Sequence, residues 1–135
     1  MYKRCCEYYV KCFNKNQENG LCKNNIKRCI CDKCIYNRGK EKNDINLKQL
    51  EELVALGAVL VDIRSPQEYK EGHLKNAIVI PEYEIRKSAE KIMPNKNRPI
   101  IVYCGTGIRS KRAQMLLKKM GYSNVYNLYK GTENY

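Results

Sequence analysis

Four short apolar runs, AVLVDI (58–63), AIVIP (77–81), PIIVY (99–103) and NVYNL (124–128), recur along the last two thirds of the chain, with segments of helical character between them. Runs this short and this uniformly apolar suit strands buried on both faces. Strands that alternate with amphipathic helices predict an α/β fold, a central parallel sheet flanked by helices on both sides. The helical segments carry their own start and stop signals. NLKQLEELVALG offers Asn46 as N-cap, Gln49 three residues on, a stripe of Leu47, Leu50 and Val54, and Gly57 after the end. SPQEY places Ser65 as N-cap, Pro66 at the first helical position and Glu68 where a capping box closes. Ile85, Ala89 and Ile92 form one helical stripe; Ala113, Leu116, Leu117 and Met120 form another, stopped by Gly121.

The regular pattern begins only near residue 45, and the chain before it has a different character. Seven of the eight cysteines lie in the first 34 residues, and residues 1–43 hold 11 of the 26 basic side chains against 4 of the 14 acidic ones. The polar stretch NRGKEKND (37–44) reads as a linker between a cysteine-rich module, residues 1–36, and a domain spanning 45–135. The positive charge comes without an RRM-like, Cys2His2 or long Lys/Arg signature, so no specific nucleic-acid site is expected. No apolar stretch follows the charged start and none approaches the length of a membrane span, which predicts a cytoplasmic protein without a membrane partner.

The sharpest local feature is IVYCGTGIRSKRA (101–113), where an apolar strand runs into Cys104 at its exit and a helix follows across two glycines. A cysteine kept for packing belongs inside the run. At the exit, with Gly105 and Gly107 leaving the backbone unobstructed, the loop amides and the positive end of a 110–120 helix converge on the sulfur. That arrangement favours thiolate over thiol and makes Cys104 the candidate nucleophile. Gly105, Thr106, Gly107, Ile108, Arg109 and Ser110 are the candidate binding residues, with Arg109 giving its charge either to a substrate anion or to a carboxylate that braces the loop. Asp62 and Arg64, at the end of a neighbouring strand, are expected to brace the loop. His73, the only histidine, and Glu68 read as structural.

LVDIRSPQEYKEGHLKNAIVIP followed by IIVYCGTGIRSKRAQMLLKKMGYSNVYNLYKGT resembles a single-domain rhodanese over residues 45–135, through Asp62, Arg64, Glu68, Tyr69, Gly72, His73, Ala77, Ile80, Pro81 and the Cys104–Arg109 loop. The resemblance implies a sulfurtransferase whose cysteine accepts sulfane sulfur as a persulfide and passes it to a thiophilic acceptor. Its partners would be a small anionic sulfur donor such as thiosulfate and a thiol or protein acceptor, with no cofactor in catalysis. The related phosphatase branch suggests five residues between cysteine and arginine. Here four intervene, Gly105, Thr106, Gly107 and Ile108, which points to sulfur rather than phosphate or arsenate chemistry. The family often ends in Gly-Gly-Trp. This chain ends YKGTENY, with Tyr135 expected in the packing role of the tryptophan. The alternative is a rhodanese-like domain used for interaction rather than catalysis.

The front module has too few large apolar side chains for a core of its own, so its cysteines must supply stability. CICDKC sets Cys29, Cys31 and Cys34 near enough for one ion, with Cys22, or else Cys12, Cys6 or Cys5, as the fourth ligand. Four thiolates imply structural zinc, or an iron–sulfur centre. Thiols that accept sulfur from Cys104, and reduced cysteines merely packed together, are the other readings.

Overall fold

The computed structural model describes residues 39–135, Ile35, and two short strands, β1 (Gln17–Glu18) and β2 (Leu21–Cys22), paired antiparallel. Of the candidate metal ligands, Cys5, Cys6, Cys12, Cys29, Cys31 and Cys34 lie outside the described residues, and Cys22 is described only as part of β2. The chain divides into two compact units, residues 1–41 and 42–135. That division falls inside the stretch expected as a linker, and the second unit takes in Asp44 as the first residue of β3 (Asp44–Ile45). A two-residue edge strand is too short to leave a periodic signal.

The second unit is the expected α/β domain. β3, β4 (Val59–Asp62), β5 (Ile78–Val79), β6 (Ile100–Tyr103) and β7 (Val125–Leu128) form one sheet in the order β3-β7-β6-β4-β5, every pair parallel. Helix α1 (Leu47–Ala55) starts in a complete Asn46–Gln49 capping box, and α2 (Pro66–Glu71) in a complete Ser65–Glu68 box. Each box pairs donors that the first turn would otherwise leave open. Helix α3 (Ile85–Ile92) buries Ile85 and Ala89 as expected, but Ile92 is 49% exposed and Met93 takes the inward position. The helix ends at Ile92, and the extended backbone of Met93 turns that side chain into the core. Helix α4 (Ile108–Lys119) buries Ala113 and Leu117 and begins two residues before the position expected from the sequence.

β6 is the central strand, and its alternation positions the site. Ile100, Val102 and Cys104 project into the core layer shared with Ala89 of α3 and Ala113 of α4. Ile101 and Tyr103 project into the opposite layer, with Leu50 of α1. Cys104 is therefore the next inward position of a buried strand, carried past the last paired residue. Sequence order runs outward from β4 to β5 on one side and from β6 to β7 on the other. The carboxyl ends of β4 and β6 thus flank the switch point where parallel α/β sheets bind ligands.

At that edge the Tyr103 hydroxyl donates to Asp62 Oδ2 at 3.0 Å and accepts from the Leu74 amide at 3.0 Å. Burial is the main cause that pushes this phenol up to about 12. Because its folded value lies above the unfolded one, the stabilisation is fully present below pH 10 and fades as pH rises through about 12. Tyr103→Phe should leave the Asp62 carboxylate and Leu74 amide short of a partner and cost about 1–3 kcal/mol. Denaturant melts in parallel should show the gap between the two proteins closing above pH 10.

Candidate active site

The loop after β6 folds back over its own cysteine. Gly107 takes a left-handed backbone (φ 90°), which lets the chain reverse and start α4 at Ile108. A β-carbon at Gly107 would stand 2.9 Å from the Lys130 nitrogen, so the position needs glycine for space as well as for conformation. Gly107 has no side chain to cap the helix, and Cys104 does it instead: Sγ accepts the Gly107 amide at 3.1 Å and the Ser110 amide at 3.4 Å. Two N–H donors and the positive end of α4 thus converge on a fully buried sulfur.

The expected binding residues divide into three groups. Gly107 and Ser110 touch the sulfur. Gly105 is buried, while Thr106 is exposed on the rim, its hydroxyl accepting the Ile108 amide at 3.4 Å, and Ile108 is half-buried. Arg109 is engaged elsewhere: its Nη1 and Nη2 donate to Glu68 Oε1 and Oε2 at 3.0 and 3.2 Å. Of the two expected partners for its charge, Arg109 has the carboxylate.

Glu68 therefore does two jobs. It closes the α2 capping box by accepting the Ser65 amide, and it holds α4 through Arg109. Arg109 is the main cause that holds the Glu68 carboxyl down at about 2, and the Ser65 amide adds to it. A lowered folded value contributes stability above the unfolded value of 4.5, lost as pH falls toward 2. Both side chains are about one-third exposed, so the energy is small. Glu68→Gln should remove this acid-dependent increment, leaving wild type and variant with converging melting midpoints between pH 5 and pH 2. A gap that stayed constant would mean Glu68 acts only as a cap.

Asp62 and Arg64 brace differently from the expectation. The Asp62 carboxylate takes Arg64 Nη2 at 2.7 Å, the Arg64 amide at 2.9 Å and the Tyr103 hydroxyl, while Arg64 Nη2 also donates to the Gly72 carbonyl at 2.6 Å. They fix the residue before Cys104, and neither bonds to Arg109 or to a loop amide. His73 stacks on Tyr69 (centroids 3.7 Å apart) and its Nδ1 donates to the Tyr69 carbonyl at 2.8 Å, a structural placement.

Three contributors were not recognised from the sequence. The C-terminal turn clamps the far side of the loop, with the Thr132 amide on the Cys104 carbonyl (3.0 Å) and the Glu133 amide on the Gly105 carbonyl (2.9 Å). Gly131 allows this approach. Tyr135 is 54% exposed and does not take the packing role expected of it, because the turn reaches the loop through its backbone. The third contributor is a buried polar chain from Cys104 to the sheet edge, through Ser110, Asn127, Asp44 and Lys111. A cavity of about 580 Å³ opens near Val59 and Ile100, at the amino ends of β4 and β6, with none of these site residues in its lining. Among the described residues no cluster of His, Cys, Asp and Glu is suited to hold a metal, and no helix is long and apolar enough to cross a membrane.

A cysteine in an amide cradle at the switch point of a five-stranded parallel sheet places the domain in the α/β class. The Rhodanese-like domain model matches residues 46–135, and the chain belongs to that family. It is 37% identical over 67 residues to the thiosulfate sulfurtransferase PspE of Escherichia coli (strain K12), spanning 50% of this chain and 64% of that one. It is 36% identical over 81 residues to a tRNA uridine(34) hydroxylase of Photorhabdus laumondii, spanning 57% of this chain and 23% of the hydroxylase. The chain therefore spans less than two thirds of both curated relatives. Among solved structures, the human single-domain sulfurtransferase TSTD1 superposes with a TM-score of 0.62 at 24% identity, over 69% of this chain and 94% of that one. A rhodanese with anions from E. coli superposes with a TM-score of 0.54 at 32% identity, over 58% and 92%.

Proposed function

We propose that this protein is a sulfurtransferase that carries sulfane sulfur from a small anionic donor such as thiosulfate, through a persulfide on Cys104, to a thiophilic acceptor. The observation that carries the reading is the pair of N–H donors on Cys104 Sγ, from Gly107 and Ser110. Donors aimed at a sulfur stabilise negative charge there, on the attacking thiolate and again on the persulfide. The thiolate attacks the outer sulfur of thiosulfate; the S–S bond breaks and sulfite leaves with its electron pair. Cyanide or a second thiolate then attacks the outer persulfide sulfur, giving thiocyanate or a new persulfide and returning Cys104 as thiolate.

The similarity to a thiosulfate sulfurtransferase and to a rhodanese solved with anions supports this reading, as does the loop of four residues between Cys104 and Arg109. With Arg109 engaged by Glu68, recognition of the donor falls mainly to the backbone amides. The test is thiocyanate formation from thiosulfate and cyanide by the purified 135-residue chain, run beside hydrolysis of a phosphate ester. Thiocyanate without ester hydrolysis supports the reading; the reverse removes it.

A further inference from the structure

Ser110 offers Cys104 a hydroxyl as well as an amide, and the surroundings dictate which way that hydroxyl points. Start at the sheet edge, where Lys111 Nζ donates to Asp44 Oδ1 at 2.7 Å inside the protein. An ionised carboxylate only accepts, so the Asn127 amide must turn Nδ2 toward it, which it does at 3.1 Å. The Asn127 Oδ1 that remains is an acceptor, and Ser110 gives it its single hydroxyl hydrogen. What Ser110 Oγ then presents to Cys104 Sγ, 3.5 Å away, is a lone pair, which suits a thiol donating S–H. Ser110, Asn127, Asp44 and Lys111 are all buried, so no bulk water competes to reverse the order.

We propose that Asn127, anchored by the Asp44–Lys111 pair, is a positioning residue that keeps the Ser110 hydroxyl from donating to the Cys104 anion, and so keeps the nucleophile basic. This rests on Cys104 being the reactive group. A sulfur held by two amides, without the hydroxyl as a third donor, holds its charge less tightly, and more basic thiolates are intrinsically stronger nucleophiles. Pulling the hydroxyl back toward Asn127 also avoids over-stabilising a persulfide that must be given up.

The other charges around the sulfur are Arg109 on α4, its partner Glu68 on α2, and Glu82 between β5 and α3, which pairs with Arg112. Glu133 of the C-terminal turn lies over Gly105, and the Asp62–Arg64 pair stands at the end of β4. The variants below leave all of these in place.

The test is the pH profile of iodoacetamide alkylation at Cys104, read on its own peptide by mass spectrometry, which does not depend on any sulfurtransferase activity. In Asn127→Ala the freed hydroxyl can turn to the thiolate. The profile should move down by about one pH unit, the scale of one hydrogen bond to a charged group, and its plateau should fall about threefold as basicity is lost. In the Ser110→Ala background the same change at Asn127 should move nothing. Toward the sulfur, Ser110→Ala alone removes only an acceptor, so it should not raise the profile. If Asn127→Ala does not fold, the paired change Asp44→Asn with Lys111→Met removes the fixed carboxylate, lets the Asn127 amide turn over, and should give the same downward shift. A profile indistinguishable from wild type in the folded variant overturns the proposal, as does an upward shift in Ser110→Ala or a downward shift that persists without the Ser110 hydroxyl.

Discussion

Cys104→Ser should reduce thiocyanate formation to the uncatalysed background while leaving the melting midpoint within a few degrees of wild type. The substitution keeps shape and hydrogen bonding: a serine oxygen can still accept the Gly107 and Ser110 amides that now end on Sγ. What it loses is chemistry, since an alcohol is not ionised near neutral pH and cannot form a persulfide. Mass spectrometry of wild type after thiosulfate treatment should show one added sulfur atom on the peptide containing Cys104. Undiminished turnover by the variant would remove Cys104 from the pathway and point to the cysteines of the first 34 residues as carriers. A variant that lost both activity and stability would mean the sulfur is needed chiefly as the cap of α4.

The features legible in the sequence are those whose partners lie within a few residues. Asn46 with Gln49, and Ser65 with Glu68, are three residues apart, and both boxes form. Cys104 with Gly107 and Ser110 is likewise a local arrangement, so the cradle follows from the order of residues in the loop. The long-range partners were not legible. Arg109 meets Glu68 across 41 residues, Lys111 meets Asp44 across 67, and Asn127 meets Asp44 across 83. Hydropathy treats Lys111, Gln114 and Asn127 as surface residues, yet each is buried because a partner elsewhere satisfies it. Asp44 suffered most: an acidic residue in a polar stretch reads as linker until the strand beside it is known. Ile92 and Met93 exchange roles for a different reason, since a helical stripe cannot show where the helix stops.

Gly131→Ala should be among the most damaging single substitutions in the domain. A β-carbon there would sit 2.2 Å from the Gly105 carbonyl oxygen and 2.6 Å from that of Cys104, and both obstacles are backbone. The residue also has φ 71° and ψ −176°, a backbone region essentially reserved for glycine, where alanine is strained by at least about 1–2 kcal/mol. Overpacking against atoms that cannot rotate away adds about 1–3 kcal/mol. Together these predict a loss of about 2–5 kcal/mol, a fall in melting midpoint of at least about 10 °C for a domain of this size. Gly57→Ala is the matched comparison, because Gly57 has φ 104° and open space where the β-carbon would go, so it should show the backbone cost alone. The two variants separate by mechanism as well as by size. Relief of the clash at Gly131 must push the turn off the loop, which strips the Thr132 and Glu133 amides from the Cys104 and Gly105 carbonyls and lets the cradle shift under the sulfur. Gly131→Ala should therefore lose transfer activity even at temperatures where it is fully folded, whereas Gly57→Ala should not. Equal activity in the two folded variants would show that the C-terminal turn holds the domain together without shaping the site.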